Sequence, residues 1–393
     1  KSLAKNEGTI ETKNGIVTIK ADAAQSLVDE TIKITDAKAQ GLVSENGVIK
    51  LVSNTGSIEA SEIKIDAGSK GEATISGKLD VNSSSGKGGD IEITGKELNL
   101  ISAKLSADGK EGGGKILIGG DWQGKGDLLQ STYTSIDKNS VLSASATESG
   151  AGGTIVAWSN IKDSNSVTSV YGALTAKGID GDGGQIETSG AVLNYNGIKV
   201  NTSSLTGNYG NWLLDPTNIT IGSSEASTIV SNLGTSDVTQ TADNTITVNN
   251  NIAYTGARNA TLTFNATTLV LGANITSSNG SLSVDVNAAV KLDTDVTITT
   301  NSGSFDVSGA ISPNSTSVSG ILQLKRSGAY VLNGNAATAS NSATSLTGGG
   351  SLSWNGSAYT WTKPNSLSAT KLLVVAGGGG GGGAVSYTHL TPA

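Results

Sequence analysis

Apolar and polar residues alternate along this chain in short bursts. Each burst puts two apolar side chains on one face of an extended segment and a charged or amide side chain on the other, which is the period of a β-strand. Gly, Asn, Ser or Asp separates the bursts, so they are too short for helices. In the first half, the bursts include Ile32-Lys33-Ile34, Ile63-Lys64-Ile65, Leu79-Asp80-Val81, Ile91-Glu92-Ile93 and Leu98-Asn99-Leu100. For residues 21–30 (ADAAQSLVDE), a short helix is the alternative.

A second pattern is a glycine pair followed directly by an alternating strand. It begins at Gly88, Gly113, Gly152 and Gly183, so the intervals between successive starts are unequal, and the interval from Gly113 to Gly152 is the longest. Imperfect repetition on this scale is typical of a solenoid, in which each coil buries its apolar face on its neighbours. We expect the glycines to supply the positive φ of a sharp corner and to let one corner stack closely on the next.

These patterns predict a right-handed parallel β-helix with about 20–25 residues per coil. An antiparallel sandwich stays open as an alternative, because Asn-Gly pairs that suit tight hairpins occur at 14–15, 46–47 and 196–197. The predicted domains are a β-helix over residues 1–222, a second Ser/Thr/Asn-rich β-solenoid segment over 223–370, and a Gly-rich tail over 371–393.

The second segment is distinguished by its charge. After residue 211 only six basic residues remain, and the outward positions become Thr, Ser and Asn. The bursts continue as Ile246-Thr247-Val248, Leu262-Thr263-Phe264, Val284-Asp285-Val286, Val296-Thr297-Ile298 and Leu322-Gln323-Leu324. In the tail, seven glycines at 377–383 predict a flexible linker. Residues 384–393, which contain the single histidine His389, are either genuine sequence or adapter-derived read-through.

Composition narrows the functional classes. Only 4% of the residues are aromatic, which suits a narrow interior filled by Ile, Val, Leu and Ala, and cysteine is absent, so disulfides and thiolate chemistry are excluded. The net charge is −7 and no basic cluster can follow a phosphate backbone, so we expect no nucleic-acid partner. No apolar run reaches the length of a transmembrane helix.

An ordered series of motifs in the first part of the chain resembles the filamentous haemagglutinin-like exoproteins of two-partner secretion. A lone Gly-Gly-x-Ile has no specificity, whereas this series, which ends in Trp-Leu-Leu-Asp-Pro at 212–216, is specific. The resemblance covers the chain from about residue 45 to residue 221. Its stretches are SGKGGDIEITG (85–95), GGGKILIGGDWQGKG (112–126), SASATESGAGGTIVAWSN (143–160), DGDGGQIETSG (180–190) and GNYGNWLLDPTNITIG (207–222).

The resemblance implies a fragment of a large adhesin of Gram-negative bacteria, secreted or displayed on the outer-membrane surface as a virulence-related fibre. It also implies export through an outer-membrane β-barrel partner, which recognises an N-terminal secretion domain that is not matched here. Receptors would be host or bacterial surface molecules or glycans. The family shares no binding residues, so none is transferred to this chain.

Two other functions are considered on the same scaffold: a polysaccharide-active enzyme and a secreted protein that captures a haem carrier. Paired carboxylates could support polysaccharide cleavage, but nothing in the sequence brings the candidates together. They are Asp22, Asp29, Asp36, Asp80 and Asp90. We therefore expect no enzymatic activity, and we assign no catalytic, cofactor-binding or metal-binding residue and no cofactor.

The other residues that could carry chemistry are each explained better by a structural role. Asp180-Gly181-Asp182-Gly183-Gly184 resembles a calcium-binding glycine–aspartate repeat, but it occurs once, which favours a solvated turn. Some aromatic side chains could stack on sugars, although packing between coils is favoured. Pro216 and the run that precedes it are interpreted as a junction that ends the charged solenoid. The aromatic candidates are Trp122, Trp158, Trp212, Tyr133, Tyr171, Tyr195 and Tyr209.

Overall fold

The computed structural model describes residues 57–315 continuously and, outside that range, the backbone of separate strands. The segment 21–29, Asp22, Asp29, Asp36, the glycine run and residues 384–393 with His389 lie outside the described residues. The first strands are β1 (Ile16–Lys20), β2 (Glu30–Ile34), β3 (Leu42–Asn46), β4 (Val48–Leu51) and β5 (Ser57–Glu59).

The next fifteen strands form five coils of three strands each. They are β6 (Glu62–Asp66), β7 (Glu72–Ile75), β8 (Lys78–Asp80), β9 (Asp90–Thr94), β10 (Glu97–Leu100), β11 (Lys104–Ser106), β12 (Lys115–Ile118), β13 (Tyr133–Ile136), β14 (Val141–Ser143), β15 (Thr154–Trp158), β16 (Val167–Val170), β17 (Ala173–Thr175), β18 (Gln185–Ser189), β19 (Val192–Asn194) and β20 (Lys199–Asn201). A 3-10 turn at Trp122–Gly124 lies between β12 and β13.

The later elements include one α-helix. They are β21 (Asn211–Asp215), β22 (Ile219–Ile221), α1 (Ser223–Asn232), β23 (Asp237–Thr241), β24 (Thr245–Val248), β25 (Ile252–Tyr254), β26 (Ala260–Leu271), β27 (Ile275–Ser277), β28 (Leu282–Leu292), β29 (Val296–Thr299), β30 (Ser304–Val307) and β31 (Ile311–Pro313). The last strands are β32 (Leu322–Lys325), β33 (Ala329–Leu332), β34 (Asn335–Thr338), β35 (Ala343–Leu346), β36 (Ser351–Trp354), β37 (Tyr359–Thr362) and β38 (Leu373–Val375).

From β4 to β33 the strands stack in parallel, and the predicted parallel β-helix is confirmed. Before this stack, β3 pairs antiparallel with β2 and β4. The first sheet runs in the order β1-β6-β9-β12-β15-β18-β21-β23-β26-β28-β30-β33 before its last strand. The second sheet contains β4-β7-β10-β13-β16-β19, and the third contains β5-β8-β11-β14-β17-β20. Each coil of the first half therefore visits the three sheets in turn. From β6 to β30, ten strands of the first sheet stacked about 4.8 Å apart give a rod of roughly 43 Å.

Inward apolar residues align in columns along the axis, which is why the alternating bursts fold this way. One column of the first sheet starts at Ile63, Ile91 and Ile116 and continues through Ile155 and Ile186, all of them buried. Because every inward side chain packs on the equivalent residue of the next coil, small and medium apolar residues fill a narrow core.

Coil length varies, as the unequal intervals between the glycine pairs indicate. Ile91 pairs in register with Ile116, and Ile116 pairs with Ile155, so the second of these two coils is much longer than the first. The coils are shorter in the second half, where Val284 pairs in register with Phe305. The longest coil contains a loop between β12 and β13 that leaves the stack and returns to it.

The glycine pairs serve close stacking, and the expectation of a positive φ is wrong for them. None of the eight glycines in the four pairs is among the positive-φ residues of the described chain. A Cβ added to Gly153 would lie 2.0 Å from the carbonyl oxygen of Gly114, and a Cβ added to Gly184 would lie 2.1 Å from that of Gly153. The pairs are glycine because each coil corner touches the backbone of the previous coil.

Near residue 222 the first and third sheets behave differently. The first sheet crosses the predicted junction without a break, since β21 pairs with both β18 and β23. The third sheet stops at β20, and α1 takes the place of its next strand. The Asn232 side chain accepts the N–H of Val200 at 2.7 Å and donates to the carbonyl of Ile198 at 3.1 Å, so its amide continues the ladder that a strand would have made.

The helix was not predicted, because an alternating pattern was expected throughout the second segment. Its sequence, SSEASTIVSN, instead spaces its buried residues at helical intervals, with Ala226, Ile229 and Asn232 facing the coil. Glu225 in its first turn accepts the N–H of Gly222 at 3.1 Å and fixes the start of the helix.

Arg258 ties the junction together from the following coil. Its Nε donates to the carbonyl of Leu233 at 2.6 Å, and its Nη2 lies 2.5 Å from Asp237 Oδ1. The guanidinium also lies over the ring of Tyr209, 4.4 Å from its centroid. Three segments of the chain thus meet on a single side chain that is 15% exposed.

Beyond the junction the coil has a different cross-section. The long strands β26 and β28 each extend through two sides of the coil; the first half of β26 pairs with β23 and its second half with β24. The strands β25, β27, β29 and β32 form a separate parallel sheet. Among the described strands, parallel stacking ends at β33: the pairs β33–β34, β32–β35, β35–β38 and β36–β37 are antiparallel. In the part of the chain that the structure describes, no helix combines the length and apolar character needed to cross a membrane.

Candidate functional site

The two described aspartates among the polysaccharide candidates are not brought together. Asp80 lies on the third sheet, where its carboxylate is 2.5 Å from Lys78 Nζ. Asp90 begins β9 on the first sheet. They therefore belong to different walls of the coil and form no pair.

The glycine–aspartate turn is held by backbone hydrogen bonds. Asp180 accepts the N–H of Gly150, and Asp182 accepts the N–H of Asn208 at 2.8 Å. These two carboxylates therefore join the corner of their own coil to the corners of the coils on either side. No group of three or more side chains suited to a metal ion occurs within the described residues.

The packing interpretation is confirmed for two of the tryptophans. Trp212 is fully buried inside the coil, where it packs edge-on against Tyr195 at 5.8 Å and donates to Thr188 Oγ1 at 3.0 Å. Trp158 is 1% exposed and packs on the outer face of the first sheet with Leu117 and Val156. Trp122 is partly buried against this same outer cluster.

The tyrosines have mixed surroundings. Tyr195 is 4% exposed, and Tyr209 lies beneath the guanidinium of Arg258. Tyr171 is 38% exposed, and Tyr133 is partly buried at the start of β13. Of the four, only Tyr171 offers an open ring to solvent.

The most unusual arrangement in the described chain is the loop 119–132, which we call the strap. It leaves the coil after β12 and covers the outer face of the first sheet. Gln130 Nε2 donates to the carbonyl of Gly124 at 3.0 Å, and Trp158 Nε1 donates to Gln130 Oε1 at 3.2 Å. The strap thus encloses the indole of Trp158, which points outward from β15.

Glycines allow the strap to approach this indole. A Cβ on Gly120 would lie 2.4 Å from Trp158 Cδ1, and one on Gly124 would lie 2.3 Å from Cζ2. Both glycines also have positive φ, at +156° and +60°. Here, unlike at the coil corners, glycine meets both a steric and a conformational requirement.

A pair of hydroxyls anchors the strap where it rejoins the coil. Ser131 Oγ and Thr134 Oγ1 donate to the carbonyl of Trp158 at 2.8 and 2.7 Å. Both residues are buried, so they satisfy a carbonyl that has left the regular ladder.

Beneath the strap lies a buried carboxyl, Glu187 of β18. Its side chain points outward from the sheet, yet it is 0% exposed because the strap covers it. Oε2 accepts the backbone N–H of Gln123 at 2.7 Å, and Oε1 accepts the hydroxyl of Ser189 at 2.9 Å. Burial raises the pKa of Glu187 to about 7 and outweighs the hydrogen bonds from Gln123 and Ser189, which lower it; the charges of Asp215 and Asp121 raise it further.

Asp215 on the neighbouring strand β21 also has a raised pKa, about 6. Burial is the main cause, followed by repulsion from Asp243. Two acidic groups on adjacent strands therefore change charge near neutral pH instead of near pH 4. Because the strap covers Glu187 completely, no polymer in solution can reach its carboxyl.

Sequence reasoning missed Glu187. Its strand, Gln-Ile-Glu-Thr-Ser, reads like the earlier Asp-Ile-Glu-Ile-Thr, in which Glu92 is partly exposed and paired with Lys64 at 3.3 Å. The available signal was the long interval from Gly113 to Gly152, which indicates an insertion in that coil. The spacing does not reveal on which wall the insertion lies.

Comparison with protein-family models found no match, and no curated protein matches the sequence at a significant level. The resemblance to filamentous haemagglutinin-like exoproteins therefore depends on the ordered motifs alone.

Proposed function

We propose that this chain is part of a secreted or surface-displayed bacterial attachment protein of the filamentous haemagglutinin type, exported by two-partner secretion, and not an enzyme. The observation that carries the proposal is the uninterrupted parallel stack from β6 to β30. Such a rod presents the same outward positions repeatedly along its axis, so many weak contacts can act together.

The outward surface supports this proposal by its regularity. In the second half, equivalent positions on successive coils carry amides that bond to each other, such as Asn265 and Asn287 at 2.8 Å. The stacked polar columns offer repeated donors and acceptors to a surface receptor or glycan. Its partners would be such surface molecules and an outer-membrane exporter.

The test is adhesion of beads coated with the full chain to epithelial cells, bacterial cells and immobilised glycans under flow. We expect retention well above that of beads coated with an unrelated β-solenoid. The free chain, which is not attached to beads, should bind the same surfaces much more weakly than the coated beads do. Equal retention of the two bead types on every surface would refute attachment.

The polysaccharide-active alternative is tested separately by incubating the chain with acidic polysaccharides and measuring reducing ends and unsaturated products. We expect none. If products form with the wild-type chain but not with Asp215→Asn, the chain is a polysaccharide-active enzyme and the attachment proposal is refuted.

A further inference from the structure

We propose that the strap is a pH-sensitive cover, closed over the first sheet while the Glu187 carboxyl is protonated and released when that carboxyl ionises. Release would uncover the apolar strip beneath it. In the closed state this strip, formed by Leu117, Val156 and Trp158, is 6%, 0% and 1% exposed.

The geometry links the strap directly to this carboxyl. Glu187 belongs to the rigid sheet, whereas Gln123, its hydrogen-bond donor, belongs to the strap. The strap has no strand pairing of its own in the described sheets. Its two ends are bonded to the coil at Gly119, Ser131 and Thr132. Between these ends, its attachment depends on the Trp158 cluster, on the Gln130 contacts and on the bond to Glu187, so the state of that carboxyl affects closure.

The charged groups around Glu187 make its ionisation costly. From the strap, Asp121 faces it, and from β21, Asp215 does, with Asp243 acting in turn on Asp215. On the other side, β15 contributes the uncharged Val156 in register with Glu187. Both ionisable groups that act on Glu187 are acidic, so a negative charge there is repelled and poorly hydrated while the strap is closed.

The direction of the effect follows from linkage. A carboxyl with an ordinary pKa of 4.5 is held at about 7 in the closed strap. The closed state therefore binds the proton more tightly than an open, hydrated one, and closure is strongest below pH 4.5. Between pH 4.5 and 7 the ratio of open to closed strap increases by up to tenfold per pH unit, on the order of 100-fold by pH 7. Above pH 7 it levels off.

Hydrogen exchange of the full chain measures this ratio. Exchange of the strap amides, above all that of Gln123, is converted to protection factors at several pH values from 4.5 to 8, so that the intrinsic pH dependence is removed. We expect protection of Gln123 to fall on the order of 100-fold up to pH 7, while amides of β28 keep theirs. A pH-independent protection factor at Gln123 would overturn the proposal.

Two substitutions make the test specific. Glu187→Gln keeps an acceptor for Gln123 and a partner for Ser189 but cannot ionise, so protection should stay high at every pH. Glu111→Gln, which changes an exposed carboxyl of a coil corner, is the matched control and should retain the wild-type profile. The wild-type profile in Glu187→Gln would contradict the proposal.

A third variant decides the question if Glu187→Gln does not fold. Asp215→Asn removes a repulsive charge from the neighbouring strand. Glu187 in the closed strap should then ionise more readily, so the fall in strap protection should be smaller than in the wild type and should level off at lower pH. An unchanged midpoint in a folded Asp215→Asn protein would overturn the proposal.

Discussion

Replacing one glycine of a coil corner should destabilise the whole stack. In Gly153→Ala, the new Cβ would lie 2.0 Å from the carbonyl oxygen of Gly114 and 3.0 Å from that of Ala144. Both are backbone atoms, so no rotamer change relieves the contact, and adjacent coils must separate by about 1 Å. The same corner is held by the Gly153 N–H, which donates to Ala144 at 2.7 Å, and by the Thr154 N–H, which donates to Gly114 at 3.0 Å.

The expected cost follows from these contacts. Overpacking of a well-packed site costs about 1–3 kcal/mol, and each weakened hydrogen bond adds about 1 kcal/mol. With two bonds affected, we expect the free energy of unfolding to fall by about 3–5 kcal/mol. The assay is urea unfolding followed by circular dichroism.

Gly86→Ala is the matched control for this substitution. A Cβ on Gly86 would meet only Ser83 Oγ, at 3.7 Å, and Gly86 is not among the positive-φ residues. Its stability should stay within about 1 kcal/mol of the wild type, because alanine also restricts the unfolded chain. Equal stability of Gly153→Ala and Gly86→Ala would refute the close-stacking role of the glycine pairs.

Three further substitutions test other parts of the structure by the same unfolding assay. Arg258→Ala should lower stability by about 2–4 kcal/mol, because it removes the cation that pairs with Asp237 and the donor to the Leu233 carbonyl; a loss below about 0.5 kcal/mol would contradict the role of Arg258 in holding the junction. Gln240→Leu should raise stability by about 1–2 kcal/mol, since both amide atoms of Gln240 are buried without a hydrogen-bond partner; destabilisation would show that the amide is needed. Burial and then Asp306 raise the pKa of Asp285, so stability falls as the pH rises from the ordinary range of an aspartate through that raised pKa, and Asp285→Asn should stabilise the chain more at pH 7 than at pH 3; an equal gain at both pH values would contradict this.

The sequence predicts most of the strands because the alternation of apolar and polar residues determines both their extended conformation and which side chains are buried. Ile91-Glu92-Ile93 and Val284-Asp285-Val286 both fold with apolar residues inward, as their alternation requires. Glycine pairs also locate the coil corners, since β9, β12, β15 and β18 each begin directly after a pair.

Other features depend on contacts between coils that no local pattern reveals. The helix α1 takes the place of a strand of the third sheet, because the Asn232 side chain bonds to the backbone of Ile198 and Val200 as a strand would. Glu187 has the same local sequence setting as Glu92, but the strap buries Glu187 completely while Glu92 remains partly exposed. Tertiary position, not residue type, defines the candidate site.

The most direct test of the parallel stack is a set of distances along one outward column of the first sheet. The column starts at Lys115. In register with it, Asn211 lies three coils further along the axis, Thr261 five and Ser283 six. Because the chain has no cysteine, cysteine pairs can be introduced at these positions and spin-labelled without background. Pulsed electron paramagnetic resonance should give Lys115 separations of about 14, 24 and 29 Å, increasing with coil number. Separations that do not increase in this order would contradict the parallel β-helix.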